Sequence, residues 1–434
     1  MTTENISAFS RVASSQLARR TFVGGALSAG TIAMLAACTP GGGSTAAASK
    51  TLTFGSSASD AVPKKAWAAV VAAFQTKSGD TVTTNTVTHN DFQNNINTYL
   101  QGAPDDVFTW FAGYRMRYYA NQGLASSVDD VWKTIGNKLS AGFASASTGD
   151  DGKKYFVPLY NYPWGFFYRK SIWAAKGYQV PTKFDDLVTL ATKMKADGLI
   201  PIAFADKDGW PAMGTFDYIN MRTNGYKFHM DLTAHKESWD QKKVKDVFDN
   251  WKRLLPFQSP NALGMTWQEG AGTLGDGTAG MYLLGSFVTQ QFTDPTVLAD
   301  IDFFAFPEIA MEGQDAVEAP IDGVMMSKKG GSNQAGRDFM AYAATGEAQN
   351  AYFAIDPSNL MSSSEFDTTK YTPFNAKLAG VIAGAKSISQ FFDRDALPAM
   401  ANNVIIPALQ SFIKDGTVDT ANLEAQAKTL YAAQ

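Results

Sequence analysis

The chain has one cysteine and three histidines in 434 residues. A lone cysteine forms no internal disulfide. With histidines only at 89, 229 and 235, no Cys/His spacing of a zinc site exists. Basic residues are not in excess: 37 Lys and Arg against 41 Asp and Glu give a formal net charge of −4. Without a basic cluster, nucleic acid is excluded as a partner. Beyond the first forty residues no apolar run is long enough to span a bilayer. A Gly-x-Ser-x-Gly elbow is missing. The literal Gly-x-Gly-x-x-Gly at Gly270 to Gly275 comes after "MTWQE" rather than an apolar strand and reads as loop or helix end. "DKDG" (Asp206 to Gly209) opens like a calcium loop, but its continuation "WPAMGTFD" lacks the later oxygen ligand and closing glutamate. No metal and no cofactor is expected.

What is present starts with the position of that cysteine. Arg11, Arg19 and Arg20 make a basic start, Thr21 to Ala37 is an apolar run broken by three glycines, and "LAAC" ends it at Cys38. Basic, apolar and small-residue regions in that order read as a secretory signal over 1–37. "LAAC" resembles a lipobox, which implies diacylglycerol on the Cys38 sulfur and cleavage before it. Two acyl chains anchor firmly where one does not. "ARRTFV" resembles a twin-arginine export signal, although Ala18 stands where that motif has Ser or Thr and no Lys comes after Phe22. Residues 38–50 form a lipidated, flexible tether of small residues. The expected location is the outer face of the cell membrane.

From Thr51 onward, strand and helix patterns alternate. "TLTFGSS", "DTVTTNTV" and "DDVFTW" read as strands, separated by helical patterns over Pro63 to Thr76 and "DFQNNINTYLQ". "YRMRYYANQG" reads as a helix stopped at Gly123. Later come an extended "YFVPLYNYPWGFFYRKS", a helix "KFDDLVTLATKMKADG", a strand "IPIAFA", a helix "KKVKDVFDNWKRLL" and strands "TAGMYLLG" and "IDFFAF". Such alternation predicts an α/β protein of βαβ units with mostly parallel sheets and flanking helices, arranged as two lobes.

Several landmarks occur in a fixed order: "PDDVFTW", an aromatic helix ending in "QGLA", the long "YFVPLYNYPWGFFYRKSIWAAKGYQVPTKFDDL" stretch, "GDGTAGMYLLGSF", "FFAFPEI" and "PIDGVMMSKKGGSNQAGRDFMAYAATGEAQ". Together they resemble the family 1 extracellular solute-binding proteins, the sugar-binding subunits of ABC importers, related to maltose-binding protein. The resemblance covers Thr51 to Gln434. It implies a type II periplasmic-binding-protein-like fold, with 51–160 plus 324–372 as one lobe and 161–323 plus 373–434 as the other. Hinge crossings fall near Tyr160–Trp164, Pro320–Gly323 and Tyr371–Asn375. It also implies a monomer that takes a mono- or oligosaccharide between its lobes, delivers it to membrane permease subunits and performs no chemistry. The family's YNK triplet is Tyr168-Arg169-Lys170 here. The acidic residue of the first crossing in maltose-binding protein is replaced by Asn161-Tyr162-Pro163-Trp164, which argues against maltodextrin.

A pyranose presents a C–H face and a rim of hydroxyls, so its site needs aromatic plates and polar groups. Micromolar affinity takes about 8 kcal/mol, while a neutral hydrogen bond gives about 0.5–1.5 kcal/mol. Several contacts are therefore required. The candidates are Phe111 and Arg115 after strand "DDVFTW", with Trp110 pointing the opposite way as an alternative plate. Tyr162 and Trp164 share a face of the first crossing. Trp210 lies in a turn-rich stretch, and Phe287 stands where the family places a tryptophan. Asp322 is read as an unpaired carboxylate able to accept two hydroxyls. His89, next to Asn90, and Trp267 complete the set. Arg394, flanked by Asp393 and Asp395, reads as a local ion-pair network. The expected result of Trp164→Ala is a severe loss of sugar binding with little loss of fold.

The rival reading is a secreted glycosidase, which needs two carboxylates about 5–9.5 Å apart in a cleft. The acidic pairs Asp105–Asp106, Asp129–Asp130 and Asp185–Asp186 each precede or open an element, where acids suit turns and helix starts. A sugar-sensing surface receptor uncoupled from transport is a third reading.

Overall fold

The computed structural model describes residues 50–310 and 315–433. The signal segment, Cys38 and nearly all of the tether lie outside the described residues.

Twelve strands are described: β1 (Thr51–Ser56), β2 (Thr81–Thr86), β3 (Val107–Phe111), β4 (Phe156–Asn161), β5 (Trp164–Arg169), β6 (Ile200–Ala203), β7 (Ala279–Gly285), β8 (Ile301–Phe304), β9 (Ala316–Glu318), β10 (Ile321–Met326), β11 (Leu360–Met361) and β12 (Ser387–Ser389). They form a six-stranded sheet in the order β11-β4-β10-β3-β1-β2, a four-stranded sheet in the order β6-β7-β5-β8, and a two-stranded ribbon of β9 and β12. Each larger sheet centres one lobe. The first is sandwiched between two apolar cores, one around Phe54, Trp67 and Phe339, the other around Phe92, Phe108 and Trp110. The second lobe has a single large core around Phe166, Phe216, Trp251 and Leu284.

The helices form as their apolar spacing requires. In the helix Ala61–Ser78, Trp67, Val70, Val71 and Phe74 recur at three- and four-residue intervals and are buried, and Gly79 ends it in the left-handed region at φ 75°. The helix Phe184–Ala196 buries Leu187, Leu190, Ala191 and Met194 and starts with two acids, where the helix dipole favours them. The helix Trp267–Gly275 contains the Gly270–Gly275 motif and begins with a capping box between Thr266 and Glu269, so those glycines cradle no phosphate.

The expectation of mostly parallel sheets is corrected. In the first sheet, β1 pairs in parallel with β2 and β3, but β10 runs antiparallel to β3 and β4, and β11 antiparallel to β4. In the second, β5 is antiparallel to both neighbours and only β6–β7 is parallel. The reason lies in the crossings. The chain leaves the first sheet along β4 and enters the second along β5 through Tyr162–Pro163 alone. It returns along β10 after Ala319–Pro320. A strand arriving from the other lobe has no crossover helix of its own and need not run parallel. Tyr162 N–H donates to the Pro320 carbonyl at 3.2 Å, which ties the two crossings together.

Candidate functional site

A cavity of about 400 Å3 lies between the two sheets at these crossings. That falls within the usual range of small-molecule sites. Register explains its floor. Asp322 of β10 stands opposite Phe111 of β3 and Tyr160 of β4, and directly opposed residues share a sheet face. A register shift between Asp322 and Gly323 bends β10 here. Gly323 admits no side chain, since a Cβ would stand 2.1 Å from the Val157 carbonyl oxygen.

The centre of the floor is an ion pair. Arg394 donates to Asp322 at 2.6 Å and to the Tyr162 hydroxyl at 2.6 Å. Its guanidinium stands 4.1 Å from the Phe111 ring centre, a cation–π distance. Burial works against the Arg394 charge, but Asp322, Tyr162 and Asp393 more than offset it and raise its pKa. Burial likewise raises Asp322, and Arg394 pulls it back. Behind this pair Arg115 donates to Asp393 at 3.2 Å and to the Gln93 side chain at 2.7 Å. Two sequence expectations are corrected here. Asp322 is paired, not free, although 24% of its side chain stays open. Arg394 keeps only a long ion pair with its neighbours, Asp393 at 3.9 Å from its Nε, and its main partner is the distant Asp322; Asp395 instead accepts from the Gln390 N–H at 2.9 Å.

The aromatic walls come mainly from the second lobe. Trp164, Trp210, Phe287 and Phe391 meet in tilted and edge-to-face contacts at 5.0–6.3 Å. Trp267 joins them edge-on to Phe287 at 5.2 Å. Trp210 and Phe287 are the least buried of the set and thus the best plates. Trp164 is only 2% exposed. Its ring occupies the space a side chain at Gly214 would need, with a Cβ 2.4 Å from it, and its carbonyl accepts from Tyr218 at 2.7 Å. The expectation that Trp164→Ala spares the fold is therefore corrected: removing a buried tryptophan costs about 3–5 kcal/mol. Trp110 and Phe111 do not point to opposite sides of the cavity. Their rings stack at 4.3 Å and 21° and both line it.

Of the eight residues singled out by sequence, Phe111, Tyr162, Trp164, Trp210, Phe287, Asp322 and His89 line the cavity. Arg115 does not; it is 1% exposed and acts from behind through Gln93 and Asp393. His89 and Asn90 open the helix His89–Gln101, which Thr88 caps. Burial, then Arg394 and Arg115, push the His89 pKa down to about 4, so its ring is neutral near pH 7. Sequence reading missed Phe391 and Asp393, along with the side chains Asp60, Gln268 and Gln290 that also line the cavity. The polar ones carried no local signal, being single residues in ordinary helix or turn contexts. Asp206 and Asp208 belong to no metal cluster; among the described residues there is no group of three or more His, Cys, Asp or Glu placed to hold an ion.

The lobes touch across the cavity. Gln268 of the second lobe donates to Asp60 of the first at 3.3 and 3.4 Å. Gln290 donates to Asp356 at 2.9 Å and to Ser358 at 3.2 Å. No helix of the described residues is long and apolar enough to cross a membrane.

Comparison with known proteins agrees with this architecture. Residues 58–350 match the family model of the bacterial extracellular solute-binding proteins. The chain is 25% identical over 265 residues to an uncharacterized ABC transporter extracellular-binding protein of Pyrococcus horikoshii, covering 60% of this chain and 58% of that protein. It is 25% identical over 199 residues to a probable sugar-binding periplasmic protein of Mesorhizobium japonicum, covering 45% and 47%. The chain thus spans about half the length of the curated relatives it matches. Among solved structures, the bacterial solute receptor AcbH, described as having an exclusive preference for β-D-galactopyranose, superposes with a TM-score of 0.85 at 44% identity. The match covers 88% of this chain and 99% of that one. The maltose-bound MalE3 of T. maritima superposes with a TM-score of 0.73 at 14% identity over 88% and 99%, a likeness of fold alone.

Proposed function

The chain belongs to the bacterial extracellular solute-binding proteins, and from that premise we propose that it is the sugar-capturing receptor of an ABC importer. Its cargo is a monosaccharide, β-D-galactopyranose first among the candidates. The observation that carries the reading is the cavity's composition. Partly exposed aromatic plates, Trp210 and Phe287, stand over a polar floor of Arg394, Asp322 and Tyr162. A plate takes the C–H face of a pyranose, and a charge-polarised floor takes its hydroxyls. The volume suits one sugar ring with bridging water, not a long chain. The 44% identity to AcbH supports galactose over glucose oligomers.

The mechanism is capture and closure. A sugar held by both lobes stabilises the closed state by its differential affinity. The contacts of Asp60 with Gln268 and of Gln290 with Asp356 close the seam beside it. The Cys38 thiol, lipidated, would keep the receptor on the outer face of the cell membrane beside its permease.

A thermal-shift screen of residues 39–434 against mono- and oligosaccharides tests the reading. A ligand at 100 times its Kd adds about 2.7 kcal/mol of stability. The expected result is a clear shift with galactose and unchanged sugar after long incubation. Turnover would favour the glycosidase reading instead. Silence with every sugar would remove carbohydrate as the cargo.

A further inference from the structure

The charged groups lining the cavity are unevenly distributed. Among the described residues, Arg394 is the one arginine of the lining, and it is occupied by Asp322 and Tyr162. His89 is neutral at physiological pH. Arg115 lies behind the wall on Asp393. Two further carboxylates line the cavity at the seam between the lobes, Asp60 and Asp208. Their partners are amides: Gln268 for Asp60, and Asn90 for Asp208. Among the described residues neither forms an ion pair; a positive charge that acts on Asp208 is that of Lys207, which is exposed.

A neutral sugar meets no penalty here. A carboxylate or phosphate entering the closed cavity meets two carboxylates and finds no free cation. Repulsion there is several times what the same charges feel in water, and counter-ions screen it less. We propose that Asp60 and Asp208 make the cavity a charge filter, which admits neutral sugars and turns away sugars bearing a carboxylate or a phosphate. The filter rests on the sugar-receptor reading and adds which sugars are refused and by which residues. It also sets the place of import in a reaction sequence: phosphorylation or oxidation of the sugar comes after uptake.

The test compares two ligands of nearly equal size. D-galacturonate carries the charge; D-galacturonamide replaces it with a neutral amide. Each is measured by displacement of D-galactose in a calorimeter at low salt and at 0.5 M salt. In the unaltered chain the amide should displace at least tenfold better than the acid. The ratio should narrow at high salt. It should fall at least fivefold in the Asp60→Asn/Asp208→Asn double variant, in which each asparagine keeps an acceptor for its amide partner. Equal displacement by the two ligands, or equal failure of both, overturns the filter. A ratio that the double variant leaves unchanged overturns the assignment to Asp60 and Asp208. Galactose and all other neutral sugars giving no heat in the unaltered chain is a separate outcome. It strikes the sugar reading itself and takes the filter with it.

Discussion

Two clusters of ionisable side chains meet at the short segment Gln390–Asp395, and they are built on opposite principles. In front, facing the cavity, both carboxylates of the cluster have a guanidinium: Asp322 with Arg394, Asp393 with Arg115. Behind, Asp217 and Glu318 face each other with no exposed surface, and Asp395 lies close by. Burial raises Asp217 and Glu318 well above the carboxylate range; Asp217 pushes Glu318 further up, while Glu318 pulls Asp217 partly back, and burial raises Asp395 to about 6. Beside them His229 has its Nε2 3.7 Å from Asp217 and is held neutral by burial, with a pKa of about 3. The front pairs its carboxylates with guanidiniums and offers polarised donors to a ligand. In the rear, burial favours the protonated form of Asp217 and Glu318, and the cluster serves as scaffold. Asp217 accepts the Phe392 N–H at 2.7 Å. That bond and the Asp395 turn hold Phe391 at φ 106°, a conformation an aromatic residue rarely adopts. The strained backbone is what sends Phe391 and Arg394 into the cavity.

The largest effect should come from breaking the front. Arg394→Met leaves Asp322 as a largely buried carboxylate, 24% of its side chain open, without its cation. Removing one partner of such a pair costs about 3–5 kcal/mol, and the floor loses its donors. Sugar affinity should drop more than a hundredfold, read by calorimetry, with stability read by urea titration. A variant that binds within tenfold of the original would show the front pair to be structural only.

Breaking the rear should cost less and act at a distance. Asp217→Ala removes the acceptor of a buried N–H, worth about 1–3 kcal/mol. Because Phe391 and Arg394 then lose their pose, affinity should fall about tenfold although Asp217 does not line the cavity. Asp217→Asn keeps an acceptor oxygen and should recover most of the affinity. If alanine lowers stability but leaves affinity unchanged, the rear cluster does not position the front.

The two clusters should also separate by pH. A carboxyl raised in the folded state keeps its proton where the unfolded chain has lost it. The unfolded chain then binds fewer protons, so stability falls as pH rises above about 4 and levels off only at the folded pKa. Glu318→Gln imitates the protonated form permanently. Neutral His89 and His229 contribute with the opposite sign, stability falling as pH drops below about 6.5, but they are common to both proteins. The difference in stability between the original chain and the variant should therefore grow in the variant's favour, by up to about 1.4 kcal/mol per pH unit, starting near pH 4. A flat difference from pH 4 to 8 would mean that Glu318 is not held protonated.

The same contrast explains what could be read from sequence. The lobes, most strands and the aromatic walls derive from apolar periodicity and from an extended crossing, both local properties. Tyr162, Trp164 and Phe287 were legible because each sits on or beside a strand end. The segment "FFDRD" was not. Three consecutive charges read as self-sufficient, and no residue type announces a positive φ at a phenylalanine. Arg394 instead reaches a carboxylate 72 residues away, through a backbone shape imposed by buried acids on other elements. The mixed sheets escaped for a similar reason, since strand direction at a lobe crossing depends on where the chain came from.

The smallest effect concerns His89, which belongs to the front by position and to neither cluster by charge. Its Nε2 lies 2.6 Å from the Gln93 amide nitrogen, and Gln93 in turn accepts from Arg115. A pKa near 4 means the ring accepts or donates as a neutral group throughout the range in which the protein works. His89→Gln therefore exchanges one neutral hydrogen-bonding group for another. The loss should stay within about 0.5–1.5 kcal/mol, at most about tenfold in affinity. Since nothing titrates at this position, the affinities of variant and original should run parallel from pH 5.5 to 8. Divergence on the acid side would show that His89 takes up a proton when sugar is bound. Two guanidiniums, Arg394 and Arg115, oppose that charge, so divergence would require the ligand to move them.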